Sequence, residues 1–201
     1  MGDGKLLDLL NRIAAAASID EAWALATDHF GRMGFKRANY GYTRFRHLKT
    51  IGDPDDALFL TTCDAEFVRR YFQGGFFAKT PIFRWCERNS GSCTWTWVKE
   101  AFEKGQLAPE EMEAVKQNAM TGVTAGMSIS FPDASSRSKG ALGLIADPGI
   151  SQAEVDAIYA EKRDEIMVVA NMMHLAIVHL PQLSRRRALS PRQRESLEWV
   201  A

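Results

Sequence analysis

The sequence predicts an α/β fold, an α-β-α sandwich with a central antiparallel sheet flanked by helices. Three observations carry this reading. Apolar residues recur at helical spacing in several stretches, the longest over residues 151–180. Two pairs of strand-like segments, 37–45 with 57–62 and 125–132 with 139–147, are each joined by a polar turn. The order along the chain is helices, strands, helices, strands, long helix, which suits one layered core.

Each element has its own signal. Residues 5–16 place Leu6, Leu9, Leu10 and Ile13 on one helical face. "SIDE" at 18–21 has the form of a capping box, opening a helix that runs to about Met33. "RANYGYTRF" alternates, with Tyr40 and Tyr42 on one side, and "ALFLTT" follows the turn "IGDPDD". "CDAEFVRRYF" predicts a short helix with Phe67 and Tyr71 one turn apart. Thr80 before Pro81 is a hydroxyl at the N-cap with proline at the first helical position. "SCTWTWV" alternates Trp95 and Trp97 and predicts a short strand or extended segment. "APEEMEAVKQNAM" is an amphipathic helix, and "AGMSISFP" and "KGALGLIAD" are strands around the turn "DASSRS". Ser151 and Glu154 form a second capping box, opening a helix that Pro181 ends. "QLSRRRA" is a linker, and "SPRQ" starts another helix with Ser190 as its cap.

Composition narrows the function. Of 201 residues 46% are hydrophobic, including eleven Phe and five Trp, which is ample for a core. Lys+Arg and Asp+Glu are equal at 25 each, but five Arg and no acid fall within 185–194. The body is therefore mildly acidic, which speaks against a nucleic-acid surface there, and the tail is basic. The N-terminus lacks a signal-peptide pattern, and no apolar run approaches the roughly 20 residues of a membrane span. Cys63, Cys86 and Cys93 are odd in number and lack CxxC spacing. These features predict a cytoplasmic protein with reduced thiols and no membrane partner. The four His are scattered, so neither a metal site nor a cofactor is expected, and "GVTAG" lacks the lysine and spacing of a phosphate loop. No nucleophile-and-base constellation is legible, so the chain is not expected to be an enzyme.

The tail "LSPRQRESLEWVA" resembles the opening of the helix-turn-helix domain of LuxR-type transcription regulators, through Leu189, Ser190, Arg192, Glu195, Leu197 and Ala201. The same family's autoinducer-binding domain has an aromatic residue, a Tyr four residues on, a D-P pair and then a Trp. Phe67, Tyr71, Thr80-Pro81 and Trp95 fall at matching spacings, followed by Gly122, Gly126 and Gly140. The resemblance implies a small-molecule-binding domain over 1–182, a linker at 183–189 and, at 190–201, the first helix of a truncated DNA-binding domain. The helix that would enter the major groove then lies outside these residues, so DNA is a partner of the full-length protein alone.

The resemblance also implies where the chain departs from its family. Three polar side chains usually hold the acyl-homoserine-lactone head group: a Tyr, a Trp four residues later and the Asp of the D-P pair. Here those positions are Cys63, Phe67 and Thr80. Ser128 offers another polar contact, and Gly143, at a further pocket position, contributes only space. The expected ligand-binding residues are Cys63, Phe67, Tyr71, Phe76, Thr80, Trp95, Ser128 and Gly143. Three alternatives stay open: a lactone with rearranged contacts, a different small apolar molecule suited to Phe67, Tyr71, Phe76, Phe77, Trp95 and Trp97, or a pocket filled by side chains in a domain used for assembly. The long helix is apolar nearly all round, which predicts a homodimer through it.

Overall fold

The computed structural model describes residues 3–44, 57–132 and 137–181. The proposed linker at 183–189, the helix at 190–201 and the "IGDPDD" turn lie outside the described residues. Among the described residues, seven α-helices flank one open five-stranded antiparallel sheet. The strands are β1 (Arg37–Thr43), β2 (Leu58–Thr61), β3 (Gly91–Thr94), β4 (Gly126–Ser130) and β5 (Lys139–Ile145), in the order β2-β1-β5-β4-β3.

On one face lie α1 (Asp3–Ala14), α2 (Ile19–Gly31) and α7 (Gln152–His179). Ser18 caps α2 by accepting from the Glu21 N–H at 3.1 Å. The expected capping box is not closed as written, because the Glu21 carboxylate accepts from the Ala17 N–H instead of that of Ser18. Ser151 and Glu154 do form the reciprocal box at the start of α7. Tyr40, Met127, Ile129, Leu142 and Leu144 point into this layer and are fully buried against Ile13, Phe30, Ile166, Val169 and Met173.

The other face carries α3 (Ala65–Val68), α4 (Pro81–Arg88), α5 (Thr96–Glu103) and α6 (Pro109–Met120). The short helix at "CDAEFVRRYF" continues from α3 into a π-helical turn, Arg69–Gln73, and a 3₁₀ turn follows at Phe76–Lys79. The widened turn still stacks Phe67 on Tyr71, with ring centroids 4.7 Å apart. "SCTWTWV" departs from the expected extended segment. β3 ends at Thr94, Trp95 sits at the N-cap position of α5, and Trp97 is in its first turn. Val98, Ala101 and Phe102 at helical spacing, closed by Gly105 at φ +64°, are the local signal for that helix.

Candidate functional site

Between the sheet and the layer of α3–α6 lies a cavity of about 390 Å³. It exists because the residues facing it on the central strands are small or polar. Strand side chains alternate between faces, and the alternates to Tyr40, Leu142, Leu144 and Met127 are Asn39, Gly41, Ala141, Gly143 and Ser128. The register brings Ser128, Gly143, Asn39 and Thr61 into one row across four strands. A Cβ built on Gly143 would meet nothing nearer than the Asn39 carbonyl, at 3.9 Å, so the floor is open there.

The roof is aromatic. Its Phe72 and Phe77 meet Phe59 of the edge strand β2 at 4.7 Å and 5.5 Å, and Phe77 lies 5.3 Å edge-on to Phe83. Such pairs contribute about 0.5–1.5 kcal/mol each beyond the area they bury. The roof helices are tied to each other by the Arg84 guanidinium, whose Nε donates to the nearly buried Glu111 carboxylate at 2.8 Å. Glu111 also accepts from the Ala108 N–H at the start of α6.

Six of the eight expected residues line this cavity: Phe67, Tyr71, Thr80, Trp95, Ser128 and Gly143. Cys63 and Phe76 do not. Cys63 follows β2 at the sheet edge, where its N–H donates to the Thr61 hydroxyl. Phe76 packs beneath the Arg70 guanidinium, 5.3 Å from the ring centre.

Thr80 is almost fully committed to the backbone. Its hydroxyl donates to the Phe77 carbonyl at 2.8 Å and accepts from the Phe83 N–H at 3.2 Å, which caps α4. Burial pushes the Tyr71 phenol up to about 12, with the Thr80 hydroxyl beside it acting in the opposite sense, so Tyr71 is neutral at any ordinary pH. The Trp95 indole N–H donates to the Ser128 hydroxyl at 2.9 Å. That contact leaves Ser128 its own proton to donate, in a place fully removed from water.

Asn118 on α6 is a wall residue that the spacing arguments missed. Its Oδ1 is buried without a hydrogen-bond partner. The available signal was an amide one turn after Ala114, on the apolar stripe of an amphipathic helix. Asn39, Phe59, Phe72, Phe83 and Val98 also line the cavity without having been singled out, because only the packing of separate segments brings them together.

The cysteines are free, and burial pushes the thiols of Cys86 and Cys93 up to about 12 and about 11. They are thiols, not thiolates, at neutral pH. Among the described residues there is no group of His, Cys, Asp or Glu placed to hold a metal ion, and no helix long and apolar enough to cross a membrane.

A sheet packed solid on one face and hollow on the other, with a partly enclosed, largely apolar cavity and few polar groups, has the construction of a small-molecule site. The chain belongs to the autoinducer binding domain family, whose model matches residues 18–177. Solved structures share the fold. The N-acylhomoserine lactone dependent LuxR family transcription factor CepR2 of Burkholderia cenocepacia aligns over 86% of this chain and 93% of its own, at 17% identity and a TM-score of 0.65. SdiA of Escherichia coli aligns over 98% of this chain and 77% of its own, at 14% identity and a TM-score of 0.69. SdiA in complex with octanoyl-rac-glycerol aligns over 98% of this chain and 75% of its own, at 15% identity and a TM-score of 0.62. At these identities the likeness is one of fold. No curated protein matches the sequence.

Proposed function

We propose that this chain is the sensing part of a LuxR-type transcription regulator, and that its cavity takes a small, largely apolar, uncharged signal. The observation that carries the reading is the cavity itself. It is about 390 Å³, within the range of roughly 300–1,000 Å³ usual for small-molecule sites, and mostly aliphatic and aromatic in its walls. Phe67, Tyr71, Thr80, Trp95, Ser128 and Gly143 are its binding residues. An acyl chain or an aromatic body lies against the aromatic roof, and the head group meets neutral donors and acceptors at Ser128 and Asn118.

Both an acyl-homoserine lactone with rearranged contacts and a related neutral amphipath fit this chemistry. Thr80 favours the second. Its hydroxyl already serves Phe77 and Phe83 and carries no charge, so a lactone amide N–H finds no carboxylate at that position. Losing one charge-assisted hydrogen bond costs about 1.5–3 kcal/mol. The regulator would act in the cytoplasm as a homodimer through α7 and reach DNA through a C-terminal helix-turn-helix domain.

The test is direct. Organic extracts of the purified protein are analysed by mass spectrometry, and thermal unfolding is followed with N-octanoyl-homoserine lactone and with 1-octanoylglycerol. Ligand at 100 times Kd stabilises by about 2.7 kcal/mol, or roughly 5–10 °C for a domain of this size. A shift with 1-octanoylglycerol larger than with the lactone supports the neutral-amphipath reading. No shift with any apolar compound and nothing in the extracts would leave the assembly-domain alternative standing.

A further inference from the structure

The start of α7 grips the cavity wall from outside. Trp95 is part of that wall. Its backbone N–H donates to the Gly126 carbonyl at 3.0 Å, and its ring lies so close over Gly126 that a Cβ there would stand 2.8 Å from it. Gly126 is in turn held by α7. The Gln152 carboxamide accepts from the Gly126 N–H at 3.0 Å and donates to the Gly126 carbonyl at 3.2 Å. One turn further on, Asp156 accepts from the Gln152 amide at 3.1 Å and from the Thr96 hydroxyl at 2.5 Å. Burial raises the Asp156 carboxyl, but hydrogen bonds from Thr96, Thr94 and Gln152 outweigh it and hold it below the usual carboxylate range.

Thr94 and Thr96 are the chain neighbours of Trp95, and Gly126 lies under its ring. All three are fastened to two side chains one turn apart on α7. Neither side chain lines the cavity. The helix does not need these bonds for its own start, which Ser151 and Glu154 already cap. The sheet does not need them either, since the β3–β4 ladder ends at the Thr94–Met127 pair.

We propose that Gln152 and Asp156 are positioning residues for Trp95, and that filling of the cavity and docking of the first two turns of α7 are one equilibrium. This rests on the reading of the cavity as a ligand site. A ligand seated against Trp95 holds the Thr94–Thr96 segment in place and thereby holds α7. By reciprocity a loosened α7 weakens binding by the same factor. The helix then carries the state of the cavity along its 28 residues, about 42 Å, to His179.

The experiment uses the whole 201-residue chain and N-phenyl-1-naphthylamine, a neutral apolar fluorescent probe. The Trp95 indole N–H resonance is assigned by its loss in Trp95→Phe. In Gln152→Leu and in Asp156→Asn it should move, while the Trp23 resonance, on the opposite face, stays. Probe affinity should fall about five-fold or more, within the usual span of coupling between sites. Saturating probe should slow amide exchange over residues 152–158 in the wild type and not in the variants. Thr96→Val, which removes one hydroxyl, should give the same pattern at smaller size should either first variant fail to fold. An unmoved Trp95 resonance with probe affinity within two-fold of wild type overturns the clamp, as does probe binding that leaves exchange in α7 unchanged. Failure of the probe to enter the wild type overturns the ligand-site reading instead, and the resonance shift then decides the clamp alone.

Discussion

The two faces of the sheet are made from alternating residues of the same strands, yet they have opposite interiors. Toward α1, α2 and α7, β1 presents Tyr40 and Tyr42, β5 Leu142 and Leu144, and β4 Met127 and Ile129, all buried. Toward the aromatic layer the same strands present Asn39, Gly41, Ala141, Gly143 and Ser128. The first set fills the space between layers at crystal-like density. The second leaves a hollow that the roof helices span without filling. The difference is one of side-chain volume at alternate positions: one face holds the fold together and the other leaves the cavity in which we propose that the signal binds.

The sharpest way to break that division is to truncate the packed face. Leu142→Ala should cost about 3–5 kcal/mol, since the side chain is fully buried and its neighbours cannot close the gap. Urea unfolding measures this. A loss below about 1 kcal/mol would mean that the packed face is no tighter than the hollow one.

Acid should attack the packed face selectively. His174 stacks on Phe131 at 4.1 Å, shares a 2.8 Å hydrogen bond with the Tyr40 hydroxyl, and sits where a Cβ on Gly140 would be. Burial lowers it to about 4. Burial also lowers His29, against the pull of Glu165 3.3 Å away, which lies within ion-pair distance but outside hydrogen-bond geometry. Both groups bind fewer protons folded than unfolded. Their stability contribution is therefore complete above pH 6.5 and is lost as pH falls toward 4. The loss should be on the order of 2–3 kcal/mol, read from melts at pH 7 and pH 4.5. His174→Phe should flatten much of that dependence. Tyr71 on the cavity face, pushed up to about 12, stays neutral throughout.

A third change acts on the hollow face alone. Thr80→Asp with Phe67→Trp restores two of the three head-group residues expected from the family, and aspartate can still cap α4. Affinity for N-octanoyl-homoserine lactone should rise about ten-fold or more by calorimetry. Unchanged or weaker binding would mean that the cavity has been reshaped for another head group.

The smallest stability effect is expected where the comparison is finest. Gly143→Val places a side chain over the open floor, next to Leu142 in sequence and opposite to it in orientation. Stability should stay level or rise by about 0.5–1 kcal/mol, since glycine weakens a strand interior. Binding of N-phenyl-1-naphthylamine should fall several-fold. A variant that loses stability and keeps binding would exchange the roles of the two faces.

Much of this was written locally. The helical stripe of Leu6, Leu9, Leu10 and Ile13, the Ser151–Glu154 box, the Thr80-Pro81 start and the alternation around Tyr40 and Tyr42 all depend on neighbours within a turn or two, and a linear pattern reports such contacts well. The family's spacing led to Phe67, Tyr71, Thr80 and Trp95, which line the cavity and lie within 30 residues of chain, where local turns bring them together. Trp95 and Trp97 misled, since alternation over four residues cannot distinguish a strand from the first turn of a helix.

By itself, the sequence determined which residues alternate, where the capped helices at Ser18, Thr80 and Ser151 start, and that one set of strand positions is large and the other small. Whether small positions leave a hollow or are filled from above depends on the roof, and the roof is assembled from segments spread along the chain from Phe67 to Asn118. The same holds for the commitment of the Thr80 hydroxyl to Phe77, the exclusion of Cys63 and Phe76 from the wall, and the grip of Gln152 and Asp156 on the segment around Trp95. Those are distances between parts that meet only when the layers close, and van der Waals and hydrogen-bond energies, which fall off within a few ångströms, respond to nothing else.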